Sequence, residues 1–383
     1  MTATSHHRKG RKLISTSSRV SPTDRTWVTP PFRDGTVASV IVPIHRWNER
    51  SRHCIHRCLE LSERTQIEVI GVSDRLISNF PNEARLIVTG ANNDTSPSFK
   101  RDLAASVARG SYLAYIDDDA YPAPSWLDHA LEAMTQLDVD GVGGPGMTPE
   151  ESAWRENLSG AIYRSLLGSG PLRHRFIPRG QPRIVDELPA YNFIIKRRCI
   201  DTVGGWNSSF YGGEDTLLCT RLRERGFRLG YAPEAIVYHY RRRIPVAHLR
   251  QIGNVGRHRG YFVKQRDHSS LRSWYFAPAL AALTAPLLLA LITLLAWRSP
   301  LIVLSSISAA WIVLSLLAAK EVGSKALLFP AVLVMHHAWY GVNFLIGLAS
   351  RSLDANRDPT AACDWDLAEP VPPSGQFPAR KPL

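Results

Sequence analysis

Along the first two-thirds of this chain, short apolar runs alternate with segments of helical period. The stretches "ASVIVPIH" (38–45), "IEVIGVSD" (67–74), "ARLIVTG" (84–90) and "SYLAYIDDD" (111–119) each have the length and polar boundaries of a buried strand. Between them, residues 48–63 predict a helix, and "SPSFKRDLAASVARG" (96–110) predicts a second that stops near Gly110. Alternation of this kind builds an α/β fold with a mostly parallel sheet and helices on both faces. In such sheets ligands bind at the carboxyl ends of the strands. Asp74 and the triplet Asp117–Asp119 fall on strand ends and should face one crevice.

The last third has a different pattern. Residues 274–297, 301–319 and 326–350 are three nearly charge-free runs, each about as long as a bilayer-spanning helix requires. Their connections, "RSP" and "KEVGSK", allow only antiparallel hairpins, so three spans are expected over 274–350. His336, His337 and Asn343 are polar residues inside the third span. Before the first span lies a basic stretch, 241–273, in which Val246, Leu249, Ile252 and Val255 recur every three residues. It predicts an amphipathic helix in the lipid headgroup layer.

Charge changes the picture only through its location. The formal charge is +12 at pH 7, but residues 1–36 carry seven Lys/Arg against two acids and residues 220–273 carry thirteen against three. Those two regions account for more than the whole excess, so the remainder is slightly acidic. With no aromatic RNA platform or helix-turn-helix pattern, and with its positive charge gathered beside the spans, the chain is not expected to bind nucleic acid. By the positive-inside rule, the basic segment and residues 37–240 are expected on the cytoplasmic face of the inner membrane, anchored by a multi-pass region. Residues 1–36 read as a mobile basic arm without the apolar core of a secretory signal, and 351–383 as a flexible tail. The five cysteines lack metal or disulfide spacing, which fits a reducing compartment, and Cys54 and Cys58 predict one buried helix face.

The candidate chemistry centres on "YIDDDAYPAPSW" (115–126). Three adjacent carboxylates next to a core repel one another unless something positive sits among them. Hard oxygen ligands suit Mg²⁺ or Mn²⁺, whose shells are commonly completed by substrate phosphates. A lone Asp capping the helix at "SWLDHALEAMTQ" (125–136) is the plainer alternative, but Ser125 is better placed for that task. Further on, Glu214 and Asp215 open a helix after a glycine turn, where the helix dipole alone would favour them. His239 ends another strand-like run as a candidate metal ligand.

Taken in order, "SVIVPIH", Asp74, "KRDLAASVARGSYLAYIDDDAYPAPSWL" and "LPAYNFIIKRRCIDTVGGWNSSFYGGEDTLLCTRLRERGFRLGYAPEAIVYH" resemble the inverting glycosyltransferases of family 2, which have the GT-A fold, over about 37–240. Two departures stand out: "VSDRL" replaces the D-D-G-S common after the second strand, and Asp102 stands where many relatives have Asn.

The resemblance implies a nucleotide-diphosphate sugar donor, with Pro43, His45, Asp74, Lys100, Arg101, Asp117 and Asp118 around it. It implies a divalent cation, Mn²⁺ or Mg²⁺, held by Asp119 with Asp117 and His239. Asp215 would be the general base, with Glu214 the substitute, and Asn192 and Trp206 would lie on the acceptor side, with Arg197 nearby. Likeness to bacterial members with a C-terminal membrane region implies a glycan or polyprenyl-linked acceptor of the cell envelope or an exopolysaccharide, and contact with membrane lipids. A membrane-bound metal-dependent phosphoryl enzyme is the alternative for the same carboxylates.

Overall fold

A computed structural model of the protein describes residues 27–28, 36–62, 65–90, 96–208, 210, 212–265, 267, 269–298 and 300–353. Nearly all of the expected tail and most of the expected arm lie outside these residues. One piece of the arm differs from expectation: Trp27–Val28 (β1) pairs antiparallel with Leu86 and Ile87, adding a strand to the sheet edge.

The parallel block consists of β2 (Ala38–Pro43), β3 (Ile67–Ser73), β4 (Arg85–Val88) and β5 (Tyr112–Tyr115), in spatial order β4-β3-β2-β5. All six residues of β2 are buried, because helices cover both faces of the sheet; this is why its sequence runs nearly continuously apolar instead of alternating. On one face α1 (Glu49–Ser62) and α3 (Trp126–Leu137) pack Cys54, Cys58, Trp126 and Met134 against Val40 and Val42. On the other, α2 (Pro97–Val107), α6 (Arg197–Val203) and α7 (Glu214–Glu224) pack Leu103, Ile200 and Leu218 against Ile41 and Ile70. The expected pair Cys54 and Cys58 is thus buried on one helix face.

Gly110 does not terminate α2, which ends at Val107; a Cβ at Gly110 would sit 2.5 Å from the backbone of Ala38 and Ser39, so the glycine lets the chain cross β2 closely. Ser96 caps α2, its Oγ accepting from the Phe99 amide. Ser125 stands at the N-cap of α3 but makes no such bond.

Beyond β5 the sheet turns mixed. β10 (Phe193–Lys196) runs antiparallel to both β5 and β7 (Gly141–Gly143); β11 (Leu229–Tyr231) is parallel to β7, and β9 (Arg183–Val185) closes the edge antiparallel. A second, three-stranded sheet has the order β6 (Ala120–Pro122), β12 (Val237–His239), β8 (Gly146–Met147). Its register pairs His239 with Ala120, which brings the far strand-end histidine beside the aspartate triplet.

Behind this domain, α4 (Trp154–Arg164) and α5 (Leu166–Ser169) lead into the chain that returns to the sheet, and α8 (Val246–Lys264), α9 (Ser273–Arg298), α10 (Pro300–Val322) and α11 (Phe329–Ala349) follow. Leu158 and Ile162 of α4 dock on Ala318 of α10 and on Phe329 and Leu333 of α11. Of the three expected spans, the second and third have counterparts among the described residues, Pro300–Ala318 and Gly323–Ala349, that are long and apolar enough to cross a membrane by length and composition.

The side of α8 that meets the protein is not the recurring Val246, Leu249, Ile252 and Val255 as a whole. Val246 and Val255 are 66% and 42% exposed, while Ile252, Gly253, Gly256, Arg259 and Gly260 form the buried face. That face lies against α11: Cβ atoms at Gly256 and Gly260 would meet the carbonyls of Tyr340 and Phe344 at 2.5 and 2.0 Å. Small residues, not a valine–leucine stripe, set the contact, because backbones this close leave no room for side chains.

Candidate active site

The carboxyl ends of β2 and β5, the turn before α7 and the end of β12 open on one cavity of about 610 Å³. Its walls include Pro43, His45, Arg101, Asp117, Asp118, Asp119, Glu214, Asp215 and His239. The far wall comes from Leu167 and Leu172 and from α8, α9 and α11, with Asn254, Pro278, His336 and Tyr340. Residues expected at a sugar-transfer site and residues of the C-terminal helices therefore share one space.

Each member of the triplet has a different partner. Asp117 Oδ1 accepts from Arg101 at 2.7 Å. Asp118 Oδ2 accepts from the His45 amide at 2.8 Å. Burial, and then the neighbouring Asp119, push the Asp118 carboxyl up to about 7. Asp119 contacts His239 Nε2 through Oδ1 at 3.1 Å and Arg242 through Oδ2 at 2.6 Å. Burial opposes its ionisation, but Arg242 and His239 outweigh that and hold the carboxyl far below the usual range. Asp117, Asp119 and His239 each offer a ligand atom, all within 4.8 Å of one another. Two carboxylate oxygens and an imidazole nitrogen beside a cavity suit a divalent cation of the Mn²⁺ type that keeps positions open for phosphate oxygens. These residues fit the group the sequence implies.

At the α7 end, the glycine turn is required: Gly212 and Gly213 have φ of +91° and +82°, which side-chain-bearing residues rarely adopt. The Gly212 amide donates to Glu214 Oε2 at 2.8 Å, and Arg101 donates to Glu214 Oε1 at 3.2 Å. With both oxygens engaged, Glu214 is a tether. Asp215 is different: its carboxylate accepts from the Thr216 amide, and burial, then Glu214 and Glu187, push it up to about 6. A carboxylate raised to that range is suited to taking a proton near neutrality.

Other expected residues are placed differently. Lys100 is buried, paired with Asp74 at 2.9 Å and donating to the Ile44 carbonyl at 2.8 Å, so its ammonium is committed inside the fold. Asp74 and Lys100 are not among the residues lining the cavity. Asn192 is fully buried, accepting from the Trp126 indole at 2.8 Å and donating to the Ala235 carbonyl at 2.8 Å. Trp206 is fully buried between Tyr115 and the Arg101 guanidinium. Neither side chain lines the cavity; both are buried in the fold. Arg197 donates to the carbonyls of Gly110 and Ala105, again inside the fold. Asp102 accepts from the amides of Trp206 and Asn207 at 2.6 and 2.9 Å, so the departure from Asn fastens the GGW turn.

Three contributors were not foreseen from the sequence. Arg242 lies in "RRR", within the run expected to face lipid; its distance of three residues from His239 was the available signal. Glu187 and Arg259 form a buried pair with both contacts at 2.7 Å, joining α8 to the sheet domain beside Asp215. The Arg259 guanidinium overcomes burial and keeps Glu187 ionised far below the usual carboxylate range.

The sequence profile of glycosyl transferase family group 2 matches residues 112–321, more than half of the chain. The chain belongs to that family. The family 2 chain is also 30% identical over 143 residues to the pre-mycofactocin glycosyltransferases of Mycobacterium tuberculosis strains CDC 1551 / Oshkosh and ATCC 25618 / H37Rv. Those matches cover 37% of this chain and only 30% of the length of those relatives. Among solved structures it is similar to the mannosyltransferase PcManGT from Pyrobaculum calidifontis in complex with GDP-Man and Mn²⁺, with a TM-score of 0.52 and 15% identity. That likeness covers 85% of this chain and 90% of the other, and shows the GT-A fold.

Proposed function

We propose that this protein is a membrane-anchored, inverting glycosyltransferase that moves a sugar from a nucleotide-diphosphate donor to a hydroxyl acceptor. The observation that carries the reading is that Asp117, Asp119 and His239 share a cavity with Asp215. Family membership, and the GDP-Man and Mn²⁺ held by the structural neighbour, support a nucleotide-sugar donor and a divalent cation.

In this mechanism Asp117, Asp119 and His239 would hold the cation, which would supply positive charge to offset that of the donor diphosphate. His45 and Arg101 flank the donor side of the cavity. Asp215 accepts the proton of the acceptor hydroxyl. That oxygen forms the new bond to the anomeric carbon as the bond from this carbon to the diphosphate oxygen breaks, and the electron pair leaves with the nucleoside diphosphate. One displacement inverts the centre. A positioned base contributes about 10²- to 10⁴-fold to the rate.

The acceptor reading follows from the far wall. Ala277, Pro278 and Tyr340 of the C-terminal helices line the same cavity as Asp215, which favours an acceptor held at the membrane, such as a polyprenyl-linked or cell-envelope glycan. Leu287 and Leu301 stand 74% and 79% exposed on α9 and α10, an outward apolar surface suited to lipid. The basic approach to the helices favours a cytoplasmic catalytic domain at the inner membrane.

The test is a screen of nucleotide-sugars with purified protein, with and without Mn²⁺. The reading expects release of nucleoside diphosphate from one donor class, dependent on Mn²⁺ and lost in Asp119→Asn. Release of inorganic phosphate or nucleoside monophosphate instead would favour a phosphoryl enzyme.

A further inference from the structure

Both oxygens of Asp119 already have a neighbour: Oδ1 faces His239, the proposed fellow ligand, and Oδ2 accepts from Arg242 at 2.6 Å, so a cation bound to Asp119 competes with the guanidinium. The side chains around Arg242 are held elsewhere. Arg241 is buried against His239 Nδ1 and the Gly146 carbonyl, and Arg50 and Arg243 converge on Glu156 at 2.7 and 3.1 Å. Arg242 instead projects into the cavity, with a side chain 19% exposed, and ends on a proposed cation ligand.

We propose that Arg242 is a displaceable counter-ion, whose place on Asp119 is taken by the divalent cation and whose guanidinium then pairs with the donor's diphosphate. The inference rests on the glycosyltransferase reading and adds a coupling to it. A cation arriving alone must break a close ion pair and leave a guanidinium without its carboxylate. When the nucleoside diphosphate arrives too, the guanidinium gains a bidentate anionic partner in exchange. Cation and nucleotide therefore strengthen each other's binding by the same factor, as linkage requires. The exchange also keeps the triplet from standing uncompensated between turnovers, the difficulty posed by three adjacent carboxylates.

The experiment measures Mn²⁺ binding to the full-length protein in detergent, by the loss of the free-ion paramagnetic resonance signal, alone and with saturating GDP or UDP. Wild type is expected to bind Mn²⁺ weakly alone and at least tenfold more tightly with one of the two nucleotides. Arg242→Gln is expected to bind Mn²⁺ alone at least fivefold more tightly than wild type, with a smaller gain from the nucleotide. Arg243→Gln removes the same charge one residue along, from the Glu156 side, and is expected to change Mn²⁺ affinity less than twofold. The proposal is overturned if Arg242→Gln binds Mn²⁺ no more tightly than wild type, or if Arg243→Gln has an equal effect. If instead Asp119→Asn binds Mn²⁺ as wild type does, the cation site itself is wrong.

Discussion

Asp117 and Glu214, from the end of β5 and the start of α7, grip the same guanidinium: Arg101 donates to Asp117 at 2.7 Å and to Glu214 at 3.2 Å. Stacked on Trp206 at 4.5 Å, Arg101 fixes the cation end of the cavity relative to the α7 end. Removing one partner of such a buried network leaves two carboxylates uncompensated, which costs about 3–5 kcal/mol. Arg101→Ala is therefore expected to lower the unfolding midpoint strongly in denaturant titrations, with Arg101→Lys giving partial recovery. An unchanged midpoint would contradict the bridging role.

The pH dependence follows from Asp215. Its carboxyl is pushed up to about 6 by burial and by Glu214 and Glu187, and only the ionised form accepts a proton. The base is lost as pH falls through that value, so kcat/KM at saturating Mn²⁺ is expected to rise from pH 5 and level off above pH 7. A flat profile from pH 5 to 8 would exclude Asp215 as the base.

The seam between α8 and α11 makes a prediction about stability. A Cβ at Gly260 would lie 2.0 Å from the Phe344 carbonyl oxygen, and helix backbone cannot yield locally. Gly260→Ala is expected to cost about 1–3 kcal/mol through overpacking. It is measured as a lowered melting temperature of the detergent-solubilised protein. A melt matching wild type would show that the seam opens freely.

Much of this architecture was legible in the sequence because it follows from local rules. The strands β2 to β5 stood out as apolar runs, and the triplet marked the carboxyl end of β5. What escaped depended on pairing across the chain. The antiparallel β10 looks locally like any other strand, and its direction is set by partners at 112–115 and 141–142. Lys100, Asn192 and Trp206 were chemically suitable as ligand contacts, but which way a side chain points from a helix or strand depends on the neighbour it meets. The same holds for "RRR", where one arginine turns to Glu156, one to Gly146 and one to Asp119.

Membrane association is tested by washing membranes from expressing cells with alkaline carbonate. The outward leucines of α9 and α10 lead us to expect the protein to stay in the pellet, while release into the supernatant would mean that these faces are covered by something other than lipid.

The central claim is that the cation carboxylates and the base act on one donor in one cavity. Its most direct measurement is donor binding and turnover in Asp215→Asn beside Asp119→Asn, with Mn²⁺ and the nucleotide-sugar found by screening. The account predicts that Asp215→Asn binds donor within about threefold of wild type and loses about 10²- to 10⁴-fold in kcat, whereas Asp119→Asn loses Mn²⁺-dependent donor binding. Near-normal turnover by Asp215→Asn would contradict it.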